Sequence, residues 1–399
     1  MNKLHTSTGL LYAGKDLPGM DNAPEALPLY QTSAFTSRSL DEVQARYAGL
    51  DTKETYSYIR SSNPNRESLG SIISYLEGGE DSIITSAGMG AITSTLLALL
   101  KSGDHIIYSN CCYGETLEIM TELFEKFGVE VSGVNIDDLD EVKAAIQPNT
   151  KIIYTEVVAN PLMRVADIDV LAEMAHEIGA LLIIDNTFTT PFAIKPLEHG
   201  ADIVINSLTK FLNGHSDACA GVVTTTKERI QYLKHVISFC GTPGDPFSAW
   251  MVARSMMTSE LRITRQMSNA AKIAKALSQH PLVERVHHPC IEGFSGYETG
   301  KKLFKDDESM CGMLSFVIKT EDYEKRNAFS KALQLIRYAP TLGGVRTTYQ
   351  QPVFSSQAHM PDDERRKMGI TPGMFRISVG IEDSEDIIAD LFQALDAIS

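Results

Sequence analysis

Asp185 and Lys210 stand 25 residues apart, each just beyond a short apolar run: IDNTF closes one run and SLTKFLNGH follows the other. A lysine amine can hold an aldehyde as a Schiff base. A carboxylate can keep a pyridine nitrogen protonated, so that the ring accepts electrons from a substrate carbanion. The pair therefore suits pyridoxal 5′-phosphate as cofactor and predicts an enzyme. A free lysine, with a pKa of about 10.4, is protonated and inert, and any one lysine is ordinarily a surface cation. Lys210 is set apart by the strand-like DIVIN before it and by the flanking hydroxyls of Ser207 and Thr209, which could bind a phosphate ester. The same residues, Ser207-Leu-Thr-Lys210, also fit the S-x-x-K signature of serine acylating enzymes, but no S-D-N or K-T-G completes that set.

Other residues could complete such a site. Gly88-Met89-Gly90 opens a helical stretch directly after the strand-like SIITS, and the free amides of a helix start bind phosphate. Tyr58, Arg60 and Asn63 lie in YIRSSNP, where an arginine could fork two hydrogen bonds onto that phosphate or simply belong to an exposed arm. Tyr113, in CCYGET, could stack on a cofactor ring and move a proton if its pKa is lowered, although a core tyrosine is the ordinary state. Arg376 sits in the apolar run FRISVGIED and needs an anion there, because a buried lone charge is costly. A substrate carboxylate or an internal salt bridge would serve.

The elements that must position these groups alternate. Strands are expected at 82–86, 105–109, 129–134, 151–156, 180–185 and 202–206, with helices near 115–127, 138–147 and 168–178. That alternation predicts an α/β fold with a mostly parallel sheet flanked by helices, whose ligands bind at the carboxyl ends of the strands. Glu156, Asp185 and Lys210 all fall there. A long helix over roughly Phe247 to His280 then leads to strands near 283–287, 312–318 and 374–380 and helices near 323–337 and 384–397, a smaller C-terminal α/β domain. The first sixty residues, with turn formers Gly9, Gly14, Pro18, Gly19, Pro24 and Pro28, read as an extended arm. The expected division is an N-terminal arm at 1–62, a large cofactor domain at 63–255 and a small domain at 256–399.

With 399 residues, 43% of them hydrophobic, the chain can bury a large core. Its net charge of −15 disfavours nucleic acid and anionic membranes as partners. The absence of a signal-like start or a bilayer-length apolar run points to the cytosol. Six cysteines without C-x-x-C or zinc spacing read as buried free thiols, and no metal is expected.

Together these segments resemble the pyridoxal phosphate-dependent trans-sulfuration family, which includes methionine γ-lyase, cystathionine γ- and β-lyases, cystathionine γ-synthase and homoserine sulfhydrylases. The likeness covers nearly the whole chain. It implies fold type I and a homotetramer of two active dimers. Tyr58 and Arg60 would then reach a neighbouring subunit's phosphate, Gly88 and Met89 form the phosphate loop, and Tyr113 stack on the ring. Asp185 would partner the pyridine, while Ser207, Thr209 and Lys210 form the segment bearing the Schiff base. Glu156 and Asn160 would lie near the ring hydroxyl, and Arg376 would anchor the carboxylate.

Departures from the family pattern fall near the distal pocket. Ala87 replaces the usual first serine of the phosphate loop, and Glu115 stands where cysteine or glycine is usual. Thr341 replaces the usual serine ahead of a segment reading LGGVRTT rather than LGGVESL, with Arg346 in place of glutamate. Glu115 and Arg346 either line the distal end of the substrate site, favouring polar side chains over methionine, or pair with each other or face solvent. The expected reaction is elimination from a sulfur-containing or γ-substituted L-amino acid, giving a 2-oxo acid, ammonia and a thiol. Replacement by an incoming thiol is the alternative, and a non-catalytic regulator on the same fold is a third reading.

Overall fold

Two sheets share one continuous core. The larger runs in the order Asp81–Thr85, Gly221–Thr225, Ile203–Ser207, Leu181–Asp185, Thr150–Glu156, His105–Ser109, Glu130–Val134. Every pairing in it is parallel except those of Gly221–Thr225, which runs antiparallel to both neighbours. Central strands covered by helices on both faces must be apolar throughout; in His105–Ser109 all five residues are buried. The structure is a computed structural model and is described for residues 5–14, 24–48, 55–358 and 360–399.

Local signals set the helices of this layer. Asn63 accepts from the Asn65 amide and Pro64 occupies the first turn of Pro64–Glu77, which ends where Gly78 takes φ 77°. Asp167 caps Ile168–Glu177 in the same way. The second sheet has the order Val283–His287, Met313–Ile318, Met374–Ser378, Thr348–Gln350, Arg337–Tyr338. The apolar cluster that contains Leu314, Phe316 and Phe375 of this sheet also contains Val204, Leu208 and Phe211 of the first.

The fold class matches the expectation; several elements do not. Gly221–Thr225 was missed, although its two valines and two threonines are strand formers. The single long helix is two, Pro246–Met256 and Ser259–Ser278, broken at Met257 and Thr258. The expected helix over 323–337 ends at Ala332, and 337–338 form a strand. The arm is not wholly extended, since it contains helices Thr6–Tyr12 and Leu40–Tyr47; Pro18 and Gly19 lie outside the described residues. Four cysteines are buried free thiols, but Cys219 and Cys240 are exposed.

Candidate active site

Strand register assembles the first part of the site. Glu156 lies opposite Asp185, and Asp185 opposite Ile205, so three adjacent parallel strands end together. One Asp185 oxygen accepts from the Thr187 amide at 2.9 Å, and the Thr187 hydroxyl accepts from the Ser207 amide at 2.8 Å. Thr187 thus ties the acid's turn to the turn that carries Lys210. It went unnoticed in the sequence, although a threonine two residues after an aspartate is a recognisable turn signal. Burial raises the Asp185 pKa, and burial together with the Asp185 charge raises that of Glu156. Burial, and next the positive charge of Arg376, lowers the pKa of the Lys210 amine, favouring its uncharged, proton-accepting form.

The candidate phosphate cradle is backbone. Helix Gly88–Leu99 starts at Ala87 with no side-chain cap, so among the described residues no side chain occupies its first amides. Gly88 rests against Ser207: a Cβ built on it would lie 2.8 Å from the Ser207 Cβ and 3.0 Å from its Oγ. A side chain at position 88 would therefore press on Ser207. Thr209 is turned away from this role, because its hydroxyl donates to the Ala220 carbonyl at 3.2 Å and accepts from the Ala220 amide at 3.1 Å. Tyr58 and Arg60 are not brought to the cradle of their own chain; Arg60 donates to the Ser238 hydroxyl at 3.2 Å and lies over the Tyr58 ring.

The second sheet supplies the cation. Arg376 is 5% exposed and pairs in register with Ser315 and Gln350. It donates to Asn160 Oδ1 at 3.0 Å and to Gln350 Oε1, and among the described residues it has no carboxylate partner. Burial pushes its pKa down to about 10. The internal salt bridge is thereby ruled out as its counterpart within the described residues. Ser315 Oγ donates to the Pro161 carbonyl at 2.7 Å, so two residues of this sheet hold the Asn160–Pro161 loop. Glu156 does not point freely at a ligand: its oxygens accept from the amides of Tyr113 at 2.6 Å and Asn160 at 3.4 Å.

Tyr113, 42% exposed, precedes helix Gly114–Glu118. Its pKa is raised rather than lowered, to about 12, first by burial and then by the neighbouring Glu115 carboxylate. Glu115 is exposed, as is Arg346, and they form no ion pair with each other among the described residues. The segment holding Thr341 and Arg346 passes directly over Lys210. Gly343, with φ 79°, packs so closely that an added Cβ would sit 2.7 Å from the Lys210 carbonyl carbon, and its amide donates to Ser378 Oγ at 2.7 Å. Gln350 and Ser378 were not anticipated, and Gly343 was singled out only as part of LGGVRTT, because only tertiary pairing reveals their contacts.

A family model described as Cys/Met metabolism PLP-dependent enzyme matches residues 7–396. The chain belongs to this family. It is a pyridoxal phosphate-dependent enzyme of fold type I. The chain is 40% identical to an L-methionine gamma-lyase of Fusobacterium nucleatum subsp. polymorphum over 376 residues, 94% of each chain. It is 39% identical to a cystathionine gamma-lyase of Bacillus subtilis (strain 168) over 374 residues, again 94% of each. A solved cystathionine gamma synthase from Xanthomonas oryzae pv. oryzae, in complex with aminoacrylate and cysteine, superposes with a TM-score of 0.91 at 31% identity, covering 100% of this chain and 99% of that one. The donor set fits the family's cofactor: an uncapped helix start for a phosphate, a buried acid for a ring nitrogen and a lysine with a lowered pKa.

Proposed function

We propose that this enzyme is a carbon–sulfur lyase that eliminates a thiol, or another β or γ substituent, from a sulfur-containing L-amino acid of the methionine, cystathionine and homocysteine class. The products are a 2-oxo acid and ammonia. One observation carries the reading: Arg376 is buried with only neutral amide oxygens as hydrogen-bond partners among the described residues, and its charge, after burial, lowers the pKa of the Lys210 amine. That is a seat for an α-carboxylate beside a base for an α-proton. The names of the relatives support the sulfur-containing class.

Pyridoxal phosphate supplies an aldehyde for the amine and a ring that accepts electrons as the α C–H bond breaks. In the proposed mechanism Arg376 grips the carboxylate, and Lys210 Nζ takes the α-proton and later moves a β-proton. Asp185 holds the ring nitrogen's proton, with Thr187 orienting it. The amides of Gly88 and Met89 and the Ser207 hydroxyl bind the phosphate, while Thr209 and Asn160 brace neighbouring backbone and side chains. Glu156 sets Tyr113 by its backbone. Tyr113, which keeps its proton at neutral pH, donates it to the leaving sulfur. Replacement by an incoming thiol shares these early groups, and the likeness to the synthase structure keeps it as the second reading.

The domain division at 1–62, 63–255 and 256–399 belongs to the same proposal, supported by a seven-stranded sheet inside the second span and a five-stranded sheet inside the third. So does a cytosolic homotetramer in which Tyr58 and Arg60 serve a neighbouring subunit. The exposure of Phe239 (81%) and Leu261 (75%) supports buried subunit contacts. No helix of the described residues is long and apolar enough to cross a membrane. Glu115, beside Tyr113, and Arg346, on the segment that covers Lys210, are proposed to select polar distal groups over methionine. Turnover of methionine, cystathionine and homoserine esters, with product analysis, tests the whole reading: 2-oxo acid and ammonia from any of them support a lyase, and thioether formation with an added thiol a synthase. Unchanged preferences in Glu115→Ala and Arg346→Ala would remove the selectivity claim.

A further inference from the structure

Beneath the two strand ends that carry the site lies a carboxyl group that touches none of the cradle. Glu77 is the last residue of helix Pro64–Glu77 and is fully buried. Its Oε1 accepts from Asn206 Nδ2 at 2.7 Å and from Asn186 Nδ2 at 3.1 Å, and its Oε2 accepts from Asn186 Nδ2 at 3.3 Å. Asn186 immediately follows Asp185, and Asn206 immediately precedes Ser207. Both asparagines are completely buried. Asn186 is fixed further by donating to the Ile194 carbonyl at 3.1 Å and accepting from Thr189 Oγ1 at 2.5 Å. One side chain therefore joins the exits of strands Leu181–Asp185 and Ile203–Ser207.

This arrangement is poor as a source of stability. Burial raises the Glu77 pKa to about 7 despite the amide donors, and among the described residues Asn206 Oδ1 has no hydrogen-bond partner. Well-packed apolar residues would fill such a space at lower cost. What the carboxyl provides instead is geometry: two amides bound to one oxygen cannot move apart independently, and sites of this kind tolerate only about 0.5 Å of error.

We propose that Glu77 is a positioning residue, which clamps Asn186 and Asn206 so that the Asp185 carboxylate and the Ser207–Lys210 turn meet the same cofactor. The inference rests on the assignment of Asp185 and Lys210 made above. Because Arg376 stands on the other sheet, the clamp acts on cofactor binding and kcat and leaves the KM for the amino acid unchanged.

The test uses the full-length protein, with apoenzyme titrated by pyridoxal 5′-phosphate and holoenzyme assayed for turnover. Glu77→Gln keeps the shape but replaces one carboxylate oxygen by an amide donor, which faces Asn186 Nδ2 if it takes the place of Oε2 and both asparagine donors if it takes the place of Oε1. It is expected to weaken cofactor binding 10- to 100-fold, alter the circular dichroism of the bound-cofactor band and lower kcat, with KM within twofold. The exchange variant Glu77→Gln/Asn206→Asp puts a donor and an acceptor back across the same contact and is expected to recover cofactor affinity at least tenfold over Glu77→Gln. Glu77→Gln with cofactor affinity and dichroism within twofold of wild type, whatever its Tm, overturns the proposal. So does an exchange variant that regains Tm but not cofactor affinity, and that comparison stands if Glu77→Gln alone fails to fold. A Lys210→Ala protein that retains the covalent cofactor would instead sink the underlying assignment.

Discussion

Replacing Arg376 by methionine separates substrate binding from folding. The guanidinium is buried, its two hydrogen-bond partners among the described residues are neutral amide oxygens, and its pKa falls from the ordinary arginine range to about 10. At roughly 1.4 kcal/mol for each tenfold change in proton affinity, that fall represents on the order of 3 kcal/mol of unfavourable burial. The substitution relieves this cost. Against it, Asn160 Oδ1 and Gln350 Oε1 lose a donor, each worth about 1 to 3 kcal/mol. The two effects nearly cancel, so Tm is expected to stay within a few degrees of wild type. Activity has no such compensation. A two-pronged grip on a carboxylate contributes about 3 kcal/mol or more, so kcat/KM should fall by at least about 100-fold. An amine substrate lacking the carboxylate should serve wild type and variant equally badly. Scanning calorimetry and steady-state kinetics decide the matter: kcat/KM within threefold of wild type would refute the anchor, and a Tm loss above about 10 °C would show that the charge is structurally paired.

Lys210→Ala should abolish borohydride trapping of the cofactor, read as the missing mass increment on the peptide containing position 210; a surviving adduct elsewhere would displace Lys210 from its role. Gly343→Ala forces a side chain into a left-handed backbone and against the Lys210 and Phe211 backbone, so it should cost roughly 2 to 5 kcal/mol in urea unfolding and weaken the cofactor band. A loss below about 1 kcal/mol would contradict the close approach. For the apoenzyme, the raised Glu156 pKa means that the folded state holds a proton that the unfolded chain releases. The stability from that proton is full below the unfolded carboxylate pKa of about 4.3 and is lost as pH rises through the higher folded value. Apoenzyme Tm should therefore fall between pH 5 and 8, and Glu156→Gln should flatten the slope; an unchanged slope would place Glu156 in an ordinary environment.

Much of the candidate site was legible because the groups that compose it are marked locally. Asp185 and Lys210 each end an apolar strand, and a doubly covered parallel sheet writes itself as continuous apolar runs with functional groups at their carboxyl ends. Gly88 was legible as a helix start, although its main constraint, contact with Ser207, is tertiary. What escaped depends on partners distant in sequence. Gly221–Thr225 returns antiparallel into a sheet whose alternation suggested only crossovers. The break at Met257 and Thr258 is marked only by the weak helix formers Thr258 and Ser259 between two long helical stretches. Thr209 could be picked as a hydroxyl near Lys210, but only the fold shows Ala220 occupying it. Tyr113 could move a proton if its pKa were lowered, but burial first, and then the Glu115 carboxylate two residues away, raise it.

The two sheets contribute different halves of the proposed chemistry. The strands ending at Asp185 and Ser207 lead to the acid and the base, and the helix start at Gly88, just after strand Asp81–Thr85 of the same sheet, offers the phosphate cradle, while Arg376 and the Gly343 turn come from the other sheet. A residue larger than glycine at position 343 would press on the backbone of Lys210 itself. The carboxylate anchor can therefore reach the amine only because the second sheet packs tightly against the lysine turn. Asn160 joins the halves once more, since its amide meets Glu156 and its side-chain oxygen meets Arg376. A substitution in this joint should misplace substrate relative to base even where the cofactor still binds. The Glu77 clamp, confined to the first sheet, should do the reverse.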